Sequence, residues 1–195
     1  MTKWNQVLLV SILLSFLFII PSLSKIAFSD GLFEENLPPA SVGDRQAGLY
    51  VKINPPILTS DSKQDAYVLF RLFDEKTNQT IQHTTYQISI TKGGSPNQRP
   101  IVNDFFHAHN GVLKLKIEPT PGELSVLGDR DPFQNALVAD PGGNVVIRGP
   151  LLLDGGLYHF HIEIFGIDTI EIFSNPKMRP NLILILVLVT YLKRI

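Results

Sequence analysis

Between Ala40 and Phe173 the chain consists of short runs in which apolar and polar residues alternate, separated by Gly, Pro, Asn and Asp. AGLYVKI (47–53) stops at Asn-Pro-Pro, AYVLFRLF (66–73) at DEKTNQT, and TIQHTTYQISI (80–90) at TKGGSPNQRP. IVNDFFHAH (101–109) and VLKLKIE (112–118) flank Asn110-Gly111, and NVVIRG (144–149) with PLLLD (150–154) leads into GLYHFHIEIFG (156–166). No segment in this stretch carries a helical period. About seven or eight short strands with this spacing predict an all-β domain over residues 40–175, an antiparallel β-sandwich.

Asn110-Gly111 is a strong local signal, because a type I′ turn needs positive φ at both central residues. It predicts a two-residue hairpin with His109 opposite Val112, Ala108 opposite Leu113 and His107 opposite Lys114. Phe106, Ala108, Leu113, Leu115 and Ile117 then share one apolar face, and His107 and His109 point to solvent beside Lys114.

The two ends read differently. Residues 1–29 carry Lys3 near their start, continue through a mostly apolar run from Val7 to Ile20, and break at Pro21 before Ala-Phe-Ser (27–29). As a helix the run spans roughly 21 Å, less than the roughly 30 Å of a bilayer core. A signal peptide, or failing cleavage an N-terminal membrane anchor, is the expectation, so the protein is exported and extracytoplasmic or membrane-associated. Residues 176–195 form a basic and apolar tail, with Leu182 to Leu192 flanked by Lys177, Arg179, Lys193 and Arg194. That run is too short to span a bilayer as a helix. An interfacial segment, a final strand, and a truncated or frame-shifted end all remain open for it.

Asp154-Gly-Gly-Leu-Tyr158 resembles the D-x-G-x-Y tyrosine corner that opens the penultimate strand of immunoglobulin-like domains. VLFRLFDEKTNQTIQHTTYQISI and DGGLYHFHIEIFG also look like strands of β-sandwich modules in exported archaeal proteins. The resemblance implies an immunoglobulin-like sandwich with Tyr158 buried and its hydroxyl satisfied inside. In such an order the 104–117 hairpin is expected in the opposite sheet from the 157–165 strand.

Burial of Tyr158 sets the parity of that strand. Phe160, Ile162 and Ile164 then face inward, and His159, His161 and Glu163 face out. Residues two apart on one face stand about 6.6 Å apart, within joint reach of one ion at roughly 2.0–2.1 Å. Copper or zinc held by His159, His161 and Glu163, with or without His107 and His109, is therefore a chemical possibility, with His83 as an outward-facing auxiliary. The competing reading treats these histidines as solvated strand residues.

Composition narrows the function classes. With no cysteine in 195 residues, disulfides, thiolate zinc sites and cysteine nucleophiles are excluded. A net charge of −1 offers no footprint for nucleic acid. Asn78-Gln-Thr80 is a glycosylation sequon. GDRDP (128–132) and DPGGN (140–144) offer calcium oxygens but read first as turns. Glu123, Asp129 and Asp131 offer carboxylates for acid–base work with a histidine, though no hydrolase motif accompanies them. The expectation is a non-catalytic surface or binding module without a bound cofactor. Its partners would be the membrane, through the N-terminal segment, and other cell-surface proteins. A metal-binding extracytoplasmic protein is the alternative, and a hydrolase a weaker one.

Overall fold

The computed structural model describes residues 33–42, 45–55, 65–93, 98–153, 158–167 and 181–184. The signal-peptide or anchor segment, Asp154 to Leu157 of the D-x-G-x-Y stretch, and all of the tail except 181–184 lie outside the described residues.

The strands are β1 (Phe33–Val42), β2 (Arg45–Asn54), β3 (Tyr67–Asp74), β4 (Thr84–Lys92), β5 (Val102–Ala108) and β6 (Val112–Pro119). They continue with β7 (Ser125–Leu127), β8 (Asp129–Arg130), β9 (Leu137–Val138), β10 (Asn144–Gly149), β11 (Tyr158–Gly166) and β12 (Asn181–Leu184). They build two six-stranded sheets, ordered β1-β2-β3-β6-β10-β7 and β12-β11-β4-β5-β9-β8. Most neighbours are antiparallel; β10 runs parallel to β6, and β9 parallel to β5. The all-β expectation holds, and the two sheets form a β-sandwich. Among the described residues no helix is long and apolar enough to cross a membrane.

Inward parity follows the alternation in the sequence. Val51, Val68, Phe70, Ile88, Leu113, Leu115, Phe160 and Ile162 are buried between the sheets. Burial of each such side chain contributes about 1.5–3 kcal/mol, so the two facing patterns are the main source of cohesion. Tyr158 is buried with Phe160, Ile162 and Ile164, as expected, and His159, His161 and Glu163 lie half-buried on the outer face. Pro150-Leu-Leu-Leu153 is a turn rather than a strand, with Leu151 and Leu152 still packed into the core. β1 begins at Phe33, ahead of the expected domain start at Ala40, and accommodates Pro38-Pro39 at a register shift between Leu37 and Ala40. Within the tail, Asn181–Leu184 pairs antiparallel with β11 as a strand.

The main correction concerns Asn110-Gly111. β5 and β6 do not pair: β5 lies between β4 and β9 in one sheet, and β6 lies between β3 and β10 in the other. The chain crosses between sheets here through a single turn in which Gly111 N donates to Ala108 O. Gly111 has φ +73°, and a Cβ at this position would fall 1.9 Å from Ile81 O, so only glycine fits. The expected pairing of His107 with Lys114 is therefore wrong. Lys114 instead lies over the Tyr67 ring of the adjacent strand β3, 4.1 Å from its centroid. The expected separation of the 104–117 segment from the 157–165 strand fails as well, because β5 and β11 share a sheet with β4 between them.

Tyr86 fastens this crossing. Its side chain leaves β4 and traverses the core, where the hydroxyl accepts from Leu72 N of the other sheet at 3.1 Å. The same hydroxyl donates to Gly111 O at 2.9 Å. Complete burial pushes the phenol well above its ordinary pKa, so it remains a neutral donor. Tyr86→Phe would strand both backbone groups in an apolar interior. It is expected to lower unfolding stability by about 1–3 kcal/mol in urea titrations. A midpoint equal to the parent's would refute this role for the hydroxyl.

Candidate metal centre

The sheet crossing gathers three histidines that sequence spacing alone keeps apart. His107 sits on the outer face of β5, His109 begins the crossing, and His83 immediately precedes β4. His83 N donates to His109 O at 3.0 Å, and His83 takes φ +49°, a left-handed conformation uncommon for a residue with a Cβ. That backbone turn brings its ring to 5.4 Å from His109 and 6.0 Å from His107, centroid to centroid. The His107 and His109 rings stand edge to face at 4.7 Å. One nitrogen from each ring falls within 4.8 Å of the other two, and the Nδ1 atoms of His83 and His109 are 3.4 Å apart. Two nitrogens bound tetrahedrally to one ion at about 2.1 Å would stand about 3.4 Å apart.

His107 is covered although it points away from the core. The 131–136 loop between β8 and β9 folds over it, leaving 8% of the residue exposed. Arg130 anchors that cover, forming a two-pronged ion pair with Asp104 of β5 at 3.0 and 2.6 Å and donating to Asn135 O. Asp131 Oδ1 caps the loop by accepting from the backbone N–H groups of Phe133 and Gln134. Those bonds hold its carboxyl below the usual range, with the nearby histidines adding a smaller effect.

Beneath the cover the hydrogen bonds settle which His107 nitrogen is available. The Thr85 hydroxyl donates to Gln134 Oε1 at 3.2 Å, which spends its one proton. It must then accept from His107 Nδ1, 2.8 Å away. His107 therefore carries its proton on Nδ1 and keeps the Nε2 lone pair for a ligand. This is the arrangement by which an outer hydrogen bond orients a metal-binding imidazole. Burial, and then the charges of His109 and His83, lower the His107 pKa, so the ring is neutral at physiological pH.

The residues expected from sequence divide into two groups. His107 and His109 belong to the cluster, and His83 joins them rather than the β11 set. His159, His161 and Glu163 lie elsewhere on the same face: His161 is level with Ser89 of β4, and His107 with Thr85. Two strand spacings across and four residues along put His161 roughly 16 Å from His107, so one ion cannot join both pairs. On β11, His161 Nε2 and Glu163 Oε1 meet at 2.9 Å as a local pair, and His159 Nε2 is buried without a hydrogen-bond partner among the described residues.

The other candidates are turns and surface. Asp140 accepts from Asn144 N and Nδ2, each at 2.8 Å, closing the DPGGN turn, and Asp129 is exposed in β8. Glu123 is exposed between β6 and β7, apart from the triad, and Asn78 is exposed with its Oδ1 accepting from Arg71. The sequence reading missed Thr85 and Gln134. Thr85 had the right outward parity on β4, but nothing local signalled the loop that reaches it. No protein-family model, curated protein or solved structure matches the chain.

The depressed His107 pKa fixes a sign. The unfolded chain takes up a proton near pH 6.5 that the folded ring resists. The associated stability is therefore complete above about pH 6.5 and declines as pH falls through the lower folded value. Denaturant midpoints of the metal-free protein should fall between pH 7 and pH 5, and His107→Gln should flatten that slope. A wild-type midpoint constant across this range would contradict the buried neutral ring.

Proposed function

We propose that the protein is a non-catalytic, extracytoplasmic binding module of immunoglobulin-like type whose ligand is a transition-metal ion, zinc or copper, held by His83, His107 and His109. The observation that carries this reading is the Gln134–Thr85–His107 chain converging on a cluster of three imidazoles. A covered histidine hydrogen-bonded through Nδ1 and gathered with two neighbours, one nitrogen of each ring within 4.8 Å of the others, is costly to assemble for solvation alone. Nitrogen-only donors favour zinc, copper, nickel or cobalt over calcium and magnesium, which prefer oxygen.

Strand order supports the immunoglobulin-like part. β2-β3-β6 follows the A-B-E order of such domains, and β12-β11-β4-β5 follows G-F-C-C′, with Tyr158 entering the F position. β1 at one edge and β10 and β7 at the other extend the first sheet beyond that scheme, and β9 and β8 extend the second. Export rests on Lys3, the Val7–Ile20 run and Ala-Phe-Ser (27–29). Lack of cysteine is no obstacle in an oxidising compartment, since the apolar core and two ladders supply the cohesion.

Calorimetric titration of the full chain with Zn²⁺ and Cu²⁺ tests the reading. One ion per chain is expected, with dissociation below ~1 µM. His83→Ala/His109→Ala, which alters two exposed rings, should abolish binding, and His159→Ala/His161→Ala should leave it unchanged. Thr85→Val should weaken it roughly 10–100-fold by freeing the His107 tautomer. Absence of such binding, or loss only on changing the β11 pair, would overturn the assignment.

A further inference from the structure

We infer that the ion at the triad keeps an exchangeable position that takes the carboxylate of a small apolar acid, with the acid's hydrocarbon body lying in the cleft beside His109. The inference deepens the metal reading above and rests on it. The donor count comes first. First-row ions take four or more ligands, and the cluster of His, Asp and Glu donors among the described residues holds three. Since His83 and His109 are exposed, the remaining position opens toward solvent. A site of three protein ligands and one exchangeable position differs from a closed structural site.

Charge selects the head group. Three neutral imidazoles leave a divalent ion with its full charge, so an anion gains more there than a neutral donor of equal size. The shape of the neighbouring surface selects the body. His109 lines a cleft of about 780 Å³, within the usual range of small-molecule sites. Leu127, Val138, Ala139 and Val146 provide apolar wall, and Leu127 is one of two large apolar side chains left exposed among the described residues. Of the charged groups in the cleft, Lys116 suits an anionic guest and the carboxylates of Asp129 and Asp140 oppose one, so it is the divalent ion that leaves the balance of charge positive. Asp140 is engaged by Asn144 and held ionised below its ordinary range. A monocarboxylate with a short hydrocarbon chain satisfies the ion, the ammonium and the apolar walls together.

The test uses the full chain loaded with Co²⁺, whose visible spectrum reports its coordination. Acetate, butyrate, hexanoate and octanoate are titrated in turn. Each should change the spectrum, and the dissociation constant should fall about three- to fourfold per added CH₂ until the cleft is filled. Val146→Trp, which fills the cleft from the outer face of β10, should keep acetate affinity and lose the gain with chain length. Leu127→Ser, at an exposed position, should weaken octanoate and spare acetate. Affinity independent of chain length, or a bound Co²⁺ whose spectrum no carboxylate alters, would overturn this inference alone. Failure of Co²⁺ to bind would remove the metal reading, and this inference with it.

Discussion

The hydroxyl of Tyr86 is the point on which the two sheets agree. It leaves one sheet and satisfies a backbone N–H of the other, then bonds the carbonyl of Gly111, where the chain passes between them. Apolar burial is indifferent to small slips of one sheet over the other; a hydrogen bond made in a dry interior is not. This contact therefore fixes where the 109–111 turn sits relative to the start of β4. The position of His109 against His83 depends on the same registration, reinforced by the His83 N–H bond to His109 O.

The site is consequently a product of the crossing rather than of any strand. A hairpin at Asn110-Gly111 would have carried His107 and His109 out beside two lysines of the same sheet, a poor place for a cation. Because β6 departs to the other sheet, Lys114 leaves with it to lie over Tyr67, and the outer flank of β5 is free to pair with β9. That pairing draws the 131–136 loop over His107. Removal of neighbouring positive charge and formation of the cover have a single topological cause.

The chemistry separates orientation from exposure. His107 is held and covered, with its proton directed at Thr85; His83 and His109 stay open to water. One fixed imidazole and two accessible ones are the arrangement on which the proposed metal reading rests. On β11 the alternation looks as suggestive in the sequence, yet His161 is paired with Glu163 along its own strand.

The alternation of the sequence by itself determined the all-β class, the principal strands and the inward set, including Tyr158 and its flanking outward histidines. Period-two burial is a local property, and each strand displays it whatever its neighbours are. The same locality explains what was not legible. Phe106, Ala108, Leu113, Leu115 and Ile117 face the core whether β5 and β6 form a hairpin in one sheet or face each other across two, so their pattern cannot distinguish the two arrangements. The choice lay in long-range contacts: Tyr86 reaching Gly111, Ile81 O filling the space beside it, and β6 finding β3. Only those contacts brought His83 to His107 and His109, and Gln134 to Thr85, because chemistry between residues 22 to 49 positions apart depends on the path of the chain through space.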